Sequence, residues 1–512
     1  MKTIPTIATA GLLAVSLAAC GGNAGGSGGG TPVEGGTFTF VLGTDPGNLD
    51  PHFTSLSATM QVDRFLYDSL VNFDEKGEMV AGLAEKWEST TTEATFTLRE
   101  GVTCADGTAL TATQVADNIN FVGEPKNASS RLGVYVPAGA KAAADDTART
   151  VTVTTPTPEA FLDRNVGSLH IVCAKGMADR ETLKQGADGT GMFTVSEAVG
   201  GDHYTLTRRE DYTWGPGDWD PKQPGLPDTV VIKIVPNETT AANLLLSGGA
   251  NAAPFVGPEQ QRLSGQKLFQ RDVQAMVGQL WFNQRAGLPA ADEKVRKALV
   301  QGADLDELTQ VVTSGNGKRA SGLVPPGMGP CDGDTVTGAL PAHDADAAMQ
   351  VLGSAKPKIT LFYPTTIGPT MQAGAELLQK VWGELGVEVT LKGGTDAEMG
   401  QLVGGQLQWD AAIVPLNVSL PSQTVPFVSG PAAPGGTNFA AIDNEDYVAK
   451  AGAAAKIAGS EGCAAWAEAE KSLFERADVV PFANANRPVF GKGAEFELSQ
   501  GSVTPASIRM VG

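Results

Sequence analysis

The sequence predicts an α/β fold divided into lobes, and three observations lead there. Between Lys358 and Leu416 the apolar spacing alternates between a strand period and a helix period, so strand, helix, strand, helix and strand follow one another. That order implies a parallel sheet with right-handed crossovers. Short β-rich runs recur through the N-terminal half. The chain has 512 residues, more than one compact core usually holds, so two or three lobes are expected.

The N-terminus reads first as an address. Residues 6–19 are apolar and of signal-peptide length, too short to span a bilayer comfortably, which takes about 20 apolar residues. They end in Leu17-Ala18-Ala19-Cys20, which resembles the lipobox of bacterial lipoproteins. Cleavage before Cys20 would leave its thiol to carry a lipid. An ordinary secretory signal cut near Cys20 is the alternative. Residues 21–31 are mostly glycine and read as a flexible linker with a reach of about 20 Å. Gly25-x-Ser27-x-Gly29 spells a hydrolase elbow, but a glycine linker has neither the strand before it nor the helix after it.

Hydrophobic residues make up 42% and charged residues 18%, a globular balance. The net charge of -20, with no basic cluster, argues against a nucleic-acid partner. No apolar run beyond the leader is long enough for a membrane span. Removing Cys20 from the five cysteines leaves Cys104, Cys173, Cys331 and Cys463, none in C-x-x-C spacing. An even number outside the cell favours two disulfides, with three possible pairings, against four buried free thiols. Histidines 52, 170, 203 and 343 are scattered without i, i+4 spacing, so neither a metal nor another cofactor is expected.

Along the chain, Thr37–Leu42 and Thr95–Leu98 alternate as strands. Thr111 and Gln114 form a capping-box pattern opening a helix through Val115, Ile119 and Val122. Residues 149–155 and 203–208 are further strands, and 230–235 is apolar enough to be buried on both faces. Ile359, Leu361 and Tyr363 mark a strand. A helix from about Pro369 to Leu385 carries Met371, Ala375, Leu378, Trp382 and Leu385 on one stripe, with Gly386 as its C-terminal glycine. Strand 387–391, a short helix near 396–403 and strand 409–416 complete the unit. In open α/β sheets ligands sit beyond the carboxyl ends of the strands, which points to Pro415, Leu416, Asn417 and Ser419.

Several strings then fall in a recognisable order. They are Asn48-Leu49-Asp50-Pro51, Leu66–Val71, Leu83–Trp87, Thr95–Val102, Asp106–Ala112 with Val115, Gly189–Gly191, Tyr204–Leu206, Leu280–Asn283, Val295–Leu299 and Val480–Phe482. Together they resemble family 5 of the extracellular solute-binding proteins, which includes oligopeptide- and dipeptide-binding components of ABC importers. The resemblance covers nearly all of the chain after the linker. It implies a two-lobed periplasmic-binding-protein-like fold of type II, in its large three-part form, with mixed and parallel sheets and a hinge. One discontinuous lobe would comprise 33–68, 188–270 and 481–512, an inserted subdomain 69–187, and the second lobe 271–480. On that map the favoured pairs, Cys104–Cys173 and Cys331–Cys463, each close within one part.

The resemblance implies capture of a peptide-like or other polar solute by hinge closure and delivery to ABC permease subunits, without chemistry in this chain. The protein would be a monomer, lipid-anchored on the extracytoplasmic face of a membrane, expected to be of the Gram-positive, high-GC type. A non-transport binder for signalling or adhesion would share the fold. An exported enzyme is disfavoured: Ser264-x-x-Lys267 spells one penicillin-binding motif, but its Ser-Asp-Asn and Lys-Thr-Gly partners are absent.

One departure bears on the ligand. Family peptide binders carry an aspartate shortly after the strand equivalent to 409–416, pairing with the peptide's amino terminus. Here no acid lies between Asp410 and Asp443. A buried ammonium without a carboxylate costs several kcal/mol, so a free-amine dipeptide is disfavoured and a blocked or longer peptide, a glycan or another polar solute stays open. Asp45 or an acid from another loop can supply the charge. The candidate ligand residues are Thr44 and Asp45, which can equally be a turn; Trp281, against a core role; Asn283, against backbone satisfaction near the hinge; Leu416, Asn417 and Ser419; and Asn484 and Asn486 on a return strand.

Overall fold

A computed structural model describes residues 30–512 except 55 and 367. Cys20, its leader and most of the linker lie outside the described residues. The framework is one mixed sheet that runs through both halves of the molecule. In the first half Thr37–Leu42 lies parallel to Thr229–Ile234 and to Ala252–Pro254. His203–Arg208 and Phe193–Val199 extend this half antiparallel. In the second half Lys358–Pro364 is flanked in parallel by Glu388–Gly394 and Ala411–Ile413, as the periodicity predicts.

Two long antiparallel strands, Phe269–Phe282 and Val479–Gly491, cross from one half to the other. The first pairs with Ala411–Ile413, the second with Ala252–Pro254. Register shifts fall between Met276 and Gly278 and between Gly278 and Gln279, where the two crossing strands slip past each other. A β-carbon on Gly278 would lie 2.3 Å from the Phe482 ring, so this close approach requires glycine.

Local rules explain the elements. Thr111 and Gln114 form the expected capping box on helix Ala112–Gly123. Helix Pro369–Glu384 buries Met371, Ala375, Leu378 and Trp382 on one stripe, and the Trp382 indole donates to the Leu299 carbonyl at 2.9 Å. Gly386 takes φ +94°, the left-handed turn that ends the helix. Strand Ala411–Ile413 is shorter than the 409–416 expected, because the chain turns at Val414 to reach the crossing strand. Strand Thr229–Ile234 is buried on one face only. Val230, Ile232 and Ile234 enter the core while Val231 and Lys233 stay half-exposed.

A smaller four-stranded sheet, Ala84–Ser89, Glu93–Leu98, Thr150–Thr154 and Lys141–Asp145, packs with helix Ala112–Gly123 into the first-half core. Two further cores cover the two faces of the second half. Disulfides join Cys104 to Cys173 and Cys331 to Cys463, with Cα–Cα distances of 6.1 and 5.1 Å, the pairing expected from the lobe map. Among the described residues no helix is long and apolar enough to cross a membrane.

Candidate functional site

The carboxyl ends of Thr37–Leu42 and Ala411–Ile413 point towards each other across the crossing strands, by the pairing directions. The loop after Ile413 therefore faces the first half of the molecule. It is pinned to the crossing strand residue by residue. Trp281 Nε1 donates to the Val414 carbonyl at 2.8 Å, and Leu416 N–H donates to Gln279 Oε1 at 2.7 Å. Asn417 works as a clamp: Oδ1 accepts from Met276 N at 2.9 Å and Nδ2 donates to the Met276 carbonyl at 3.2 Å. Ser419 donates its N–H and hydroxyl to Gln423 Oε1 at 3.0 and 3.3 Å.

Two buried polar atoms here have no partner. The Leu416 bond fixes the orientation of the Gln279 amide, and its Nε2 is left with nothing to donate to, although the residue is fully buried. Asn484, opposite Met276 on the other crossing strand and 3% exposed, leaves its Oδ1 unaccepted. An orphaned buried polar group costs about 1–3 kcal/mol, so these two, one on each crossing strand, mark a place where a ligand or solvent is needed.

The other sequence candidates have clear surroundings. Trp281 is fully buried against Phe439, with ring centroids 4.6 Å apart, and contributes to the core. Asn283 donates to the Trp409 carbonyl at 3.0 Å and accepts from Arg285 at 3.1 Å, so its amide is occupied. Asp45 accepts from Tyr204 OH at 2.8 Å, from Gly47 N at 2.7 Å and from Gly201 N. Burial pushes its carboxyl up, but these three donors outweigh it and hold the group below the usual carboxylate range. All three partners belong to the first half, so Asp45 fastens a turn and sends no charge to the 414–419 loop. Thr44 is exposed. Asn486, also exposed, accepts from Gln274 across the strands.

The two halves also meet away from the strands. Asn165, on helix Leu162–Gly167, donates to Ser422 Oγ at 3.4 Å and accepts from Gln423 Nε2 at 3.1 Å. Gly459 N donates to the Ala160 carbonyl at 2.7 Å, and Phe161 lies 6.5 Å from Trp466, ring to ring. The acid at this contact is Glu159. Burial raises its pKa, partly offset by the Phe161 N–H, Ser422 and Asn165. Gln279, Gln423, Asn165 and Glu159 were not singled out in the sequence. Gln279 carries a visible signal, a lone amide inside the apolar run Val277–Phe282.

Two lobes joined by two crossing strands, with a polar loop at the junction, define a binding protein of the type II periplasmic class. Residues 78–430 match the family described as bacterial extracellular solute-binding proteins, family 5 Middle, and the chain belongs to that family. This is a family of solute-binding transport components, not of enzymes. The chain resembles the glutathione-binding protein GsiB of Escherichia coli K12, 26% identical over 304 residues, 56% of each chain. It thus spans about half the length of the curated relatives it matches. Among solved structures it resembles a substrate binding protein from Microbacterium hydrocarbonoxydans complexed with 4-hydroxybenzoate hydrazide, at 29% identity and a TM-score of 0.80, covering 93% of this chain and 99% of that one. The dipeptide binding protein of Pseudoalteromonas sp. SM9913 in complex with Met-Leu shares the fold at 19% identity and a TM-score of 0.78, covering 93% and 100%.

Proposed function

We propose that this protein is the substrate-binding component of an ABC importer. It holds a small polar solute between its lobes, closes over it by hinge motion at the crossing strands, and presents it to permease subunits. The observation that carries this reading is the pair of unpartnered amide groups, Gln279 Nε2 and Asn484 Oδ1, buried on the two crossing strands where the lobes join. One offers a donor and the other an acceptor, which suits a neutral amide or a similar polar group of the solute. A bound solute makes contacts only the closed form can complete, so its differential affinity drives closure.

Asn417 on this reading holds the loop in place instead of touching solute, because both ends of its amide are engaged by Met276. The division at 68/69, 187/188, 270/271 and 480/481 is part of the same proposal, as is a monomeric protein without catalysis. So too is a lipid on Cys20 that tethers the chain outside the cell; two or more acyl chains anchor stably. Native mass spectrometry of protein purified from its own host should show one co-purified small solute, and re-adding it to stripped protein should shrink the radius of gyration in X-ray scattering. Absence of a retained solute together with unchanged scattering across a panel of small polar solutes contradicts the reading.

A further inference from the structure

Where the two halves meet away from the crossing strands, the contact is built around an acid. Glu159 is half-buried, and its neighbours Ala160 and Phe161 are 3% and 2% exposed. Its Oε1 accepts from Phe161 N–H at 3.1 Å, and Asn165 and Ser422 lie within hydrogen-bonding reach of the carboxyl. Phe161 and Asn165 belong to the first half, Ser422 to the second. The second half also brings Trp466 against Phe161 and Gly459 N–H onto the Ala160 carbonyl. Glu470 and Asp478 are buried acids too, but each finds its partners within the second half.

No charge on the surrounding elements compensates Glu159. On helix Leu162–Gly167, Arg164 donates to the Gly77 carbonyl and lies over Phe73, while Asp163 accepts from Arg164 N–H. Residues 421–428 carry no ionisable side chain. Lys456 and Glu461, beside Gly459, are exposed. On helix Cys463–Glu475, Glu468 pairs with Lys471, and Glu470 is held by Leu323 and Thr335. Glu93, near the Thr91 carbonyl that accepts from Glu159 N–H, is exposed. None of these groups shifts the titration of Glu159, which burial raises and three neutral partners only partly offset.

We infer that Glu159 is a proton-linked latch: closing the lobes takes up a proton from solvent at this side chain, so that pH sets the balance between open and closed forms. The inference rests on the hinge-closure reading above and adds a control to it. When the lobes part, Ser422 and Trp466 leave with the second half, and water solvates the carboxylate. When they close, that water is displaced and no cation replaces it, so the charged form is disfavoured. The neutral acid is tolerated, because its O–H can donate to the Ser422 hydroxyl. The latch connects to the solute loop. Asn165 Oδ1 accepts from Gln423 Nε2 at 3.1 Å, and Gln423 Oε1 accepts from Ser419 N–H at 3.0 Å. By linkage, a closed form that holds the proton more tightly has its full advantage below the ordinary glutamate value of 4.5. It loses that advantage as pH rises through the higher value of the closed form.

Single-molecule energy transfer on the full, solute-free chain tests this. Dyes are attached to Lys126→Cys and Lys358→Cys, exposed positions in the first and second halves. The closed-to-open ratio is read at pH 4.5 and pH 8 in this labelled parent and in its Glu159→Gln and Glu159→Ala variants. In the parent the ratio should fall from pH 4.5 to pH 8. Glu159→Gln resembles the neutral acid at every pH, so its ratio should stay close to the parent's value at pH 4.5 under both conditions. Glu159→Ala should also lose the pH dependence, and it reports alone if circular dichroism shows that Glu159→Gln does not fold. A parent ratio that does not fall, or a fall that survives in either folded variant, overturns the inference; lobes that still open and close then leave solute capture standing. One fixed distance in every chain would overturn both this inference and the hinge-closure reading.

Discussion

Replacing Asn165 by alanine isolates the contact that closes the molecule away from its crossing strands. Asn165 is 4% exposed and spans the gap with two neutral hydrogen bonds, to Ser422 Oγ at 3.4 Å and from Gln423 Nε2 at 3.1 Å. A neutral hydrogen bond nets about 0.5–1.5 kcal/mol, and the longer of these belongs at the low end, so the pair contributes roughly 1–2 kcal/mol to the closed form. Truncation also frees Gln423, whose Oε1 orders Ser419 in the binding loop. None of these bonds exists when the lobes part. The ratio of closed to open protein should therefore fall about 5- to 30-fold. If the free protein is mainly open, that factor appears as weaker binding of the co-purified solute by calorimetry. If it is mainly closed, the factor appears as a larger radius of gyration for the solute-free variant. An affinity and a solute-free scattering profile that both match wild type would refute Asn165 as a closing contact.

Three further outcomes follow from other parts of the structure. Glu470 accepts from Leu323 N–H and from Thr335 at 3.0 Å, but burial dominates and pushes its pKa up to about 7. The folded state thus holds a proton that the unfolded chain releases near pH 4.5, so this stability is full below that pH and lost as pH rises through about 7. The loss is roughly 3 kcal/mol. Glu470→Gln should flatten that slope in urea titrations at pH 5 and pH 8, and an unchanged slope counts against the assignment. Asn417→Ala should release the loop from Met276 and weaken solute binding about 5- to 30-fold with little change in melting temperature, since two neutral bonds are lost; unaltered affinity removes the clamp from the account. Replacing both Cys331 and Cys463 by serine opens a loop of 132 residues and should cost roughly 4–5 kcal/mol in guanidinium unfolding.

Much of this architecture is legible in the residues. The parallel unit from Lys358 to Ile413 is legible in the apolar spacing, because helix Pro369–Glu384 buries one stripe and Ile359, Leu361 and Tyr363 enter one core. The capping box at Thr111, the glycine after helix Pro369–Glu384 and the disulfide pairing obey rules that act over a few residues or over a lobe. What the sequence hides is which polar side chains are already satisfied. Asn283, Asn417 and Asp45 look like ligand residues by position, yet each is engaged by protein groups, from partners as far away as Trp409, Met276 and Tyr204. Gln279 shows in the sequence as a lone amide inside an apolar run, but that its Nε2 has no partner emerges only from the structure. Satisfaction is a property of tertiary contacts, and spacing along the chain does not encode it. Trp281 shows the same limit: an aromatic on a strand facing either core or ligand has one spelling.

The central claim is that the solute is held where the crossing strands meet the 414–419 loop. A crystal structure of the protein with its co-purified solute tests it most directly. Solute atoms should lie within hydrogen-bond distance of Gln279 Nε2 and Asn484 Oδ1, between closed lobes. Solute bound elsewhere, with both groups still unpartnered, would contradict it.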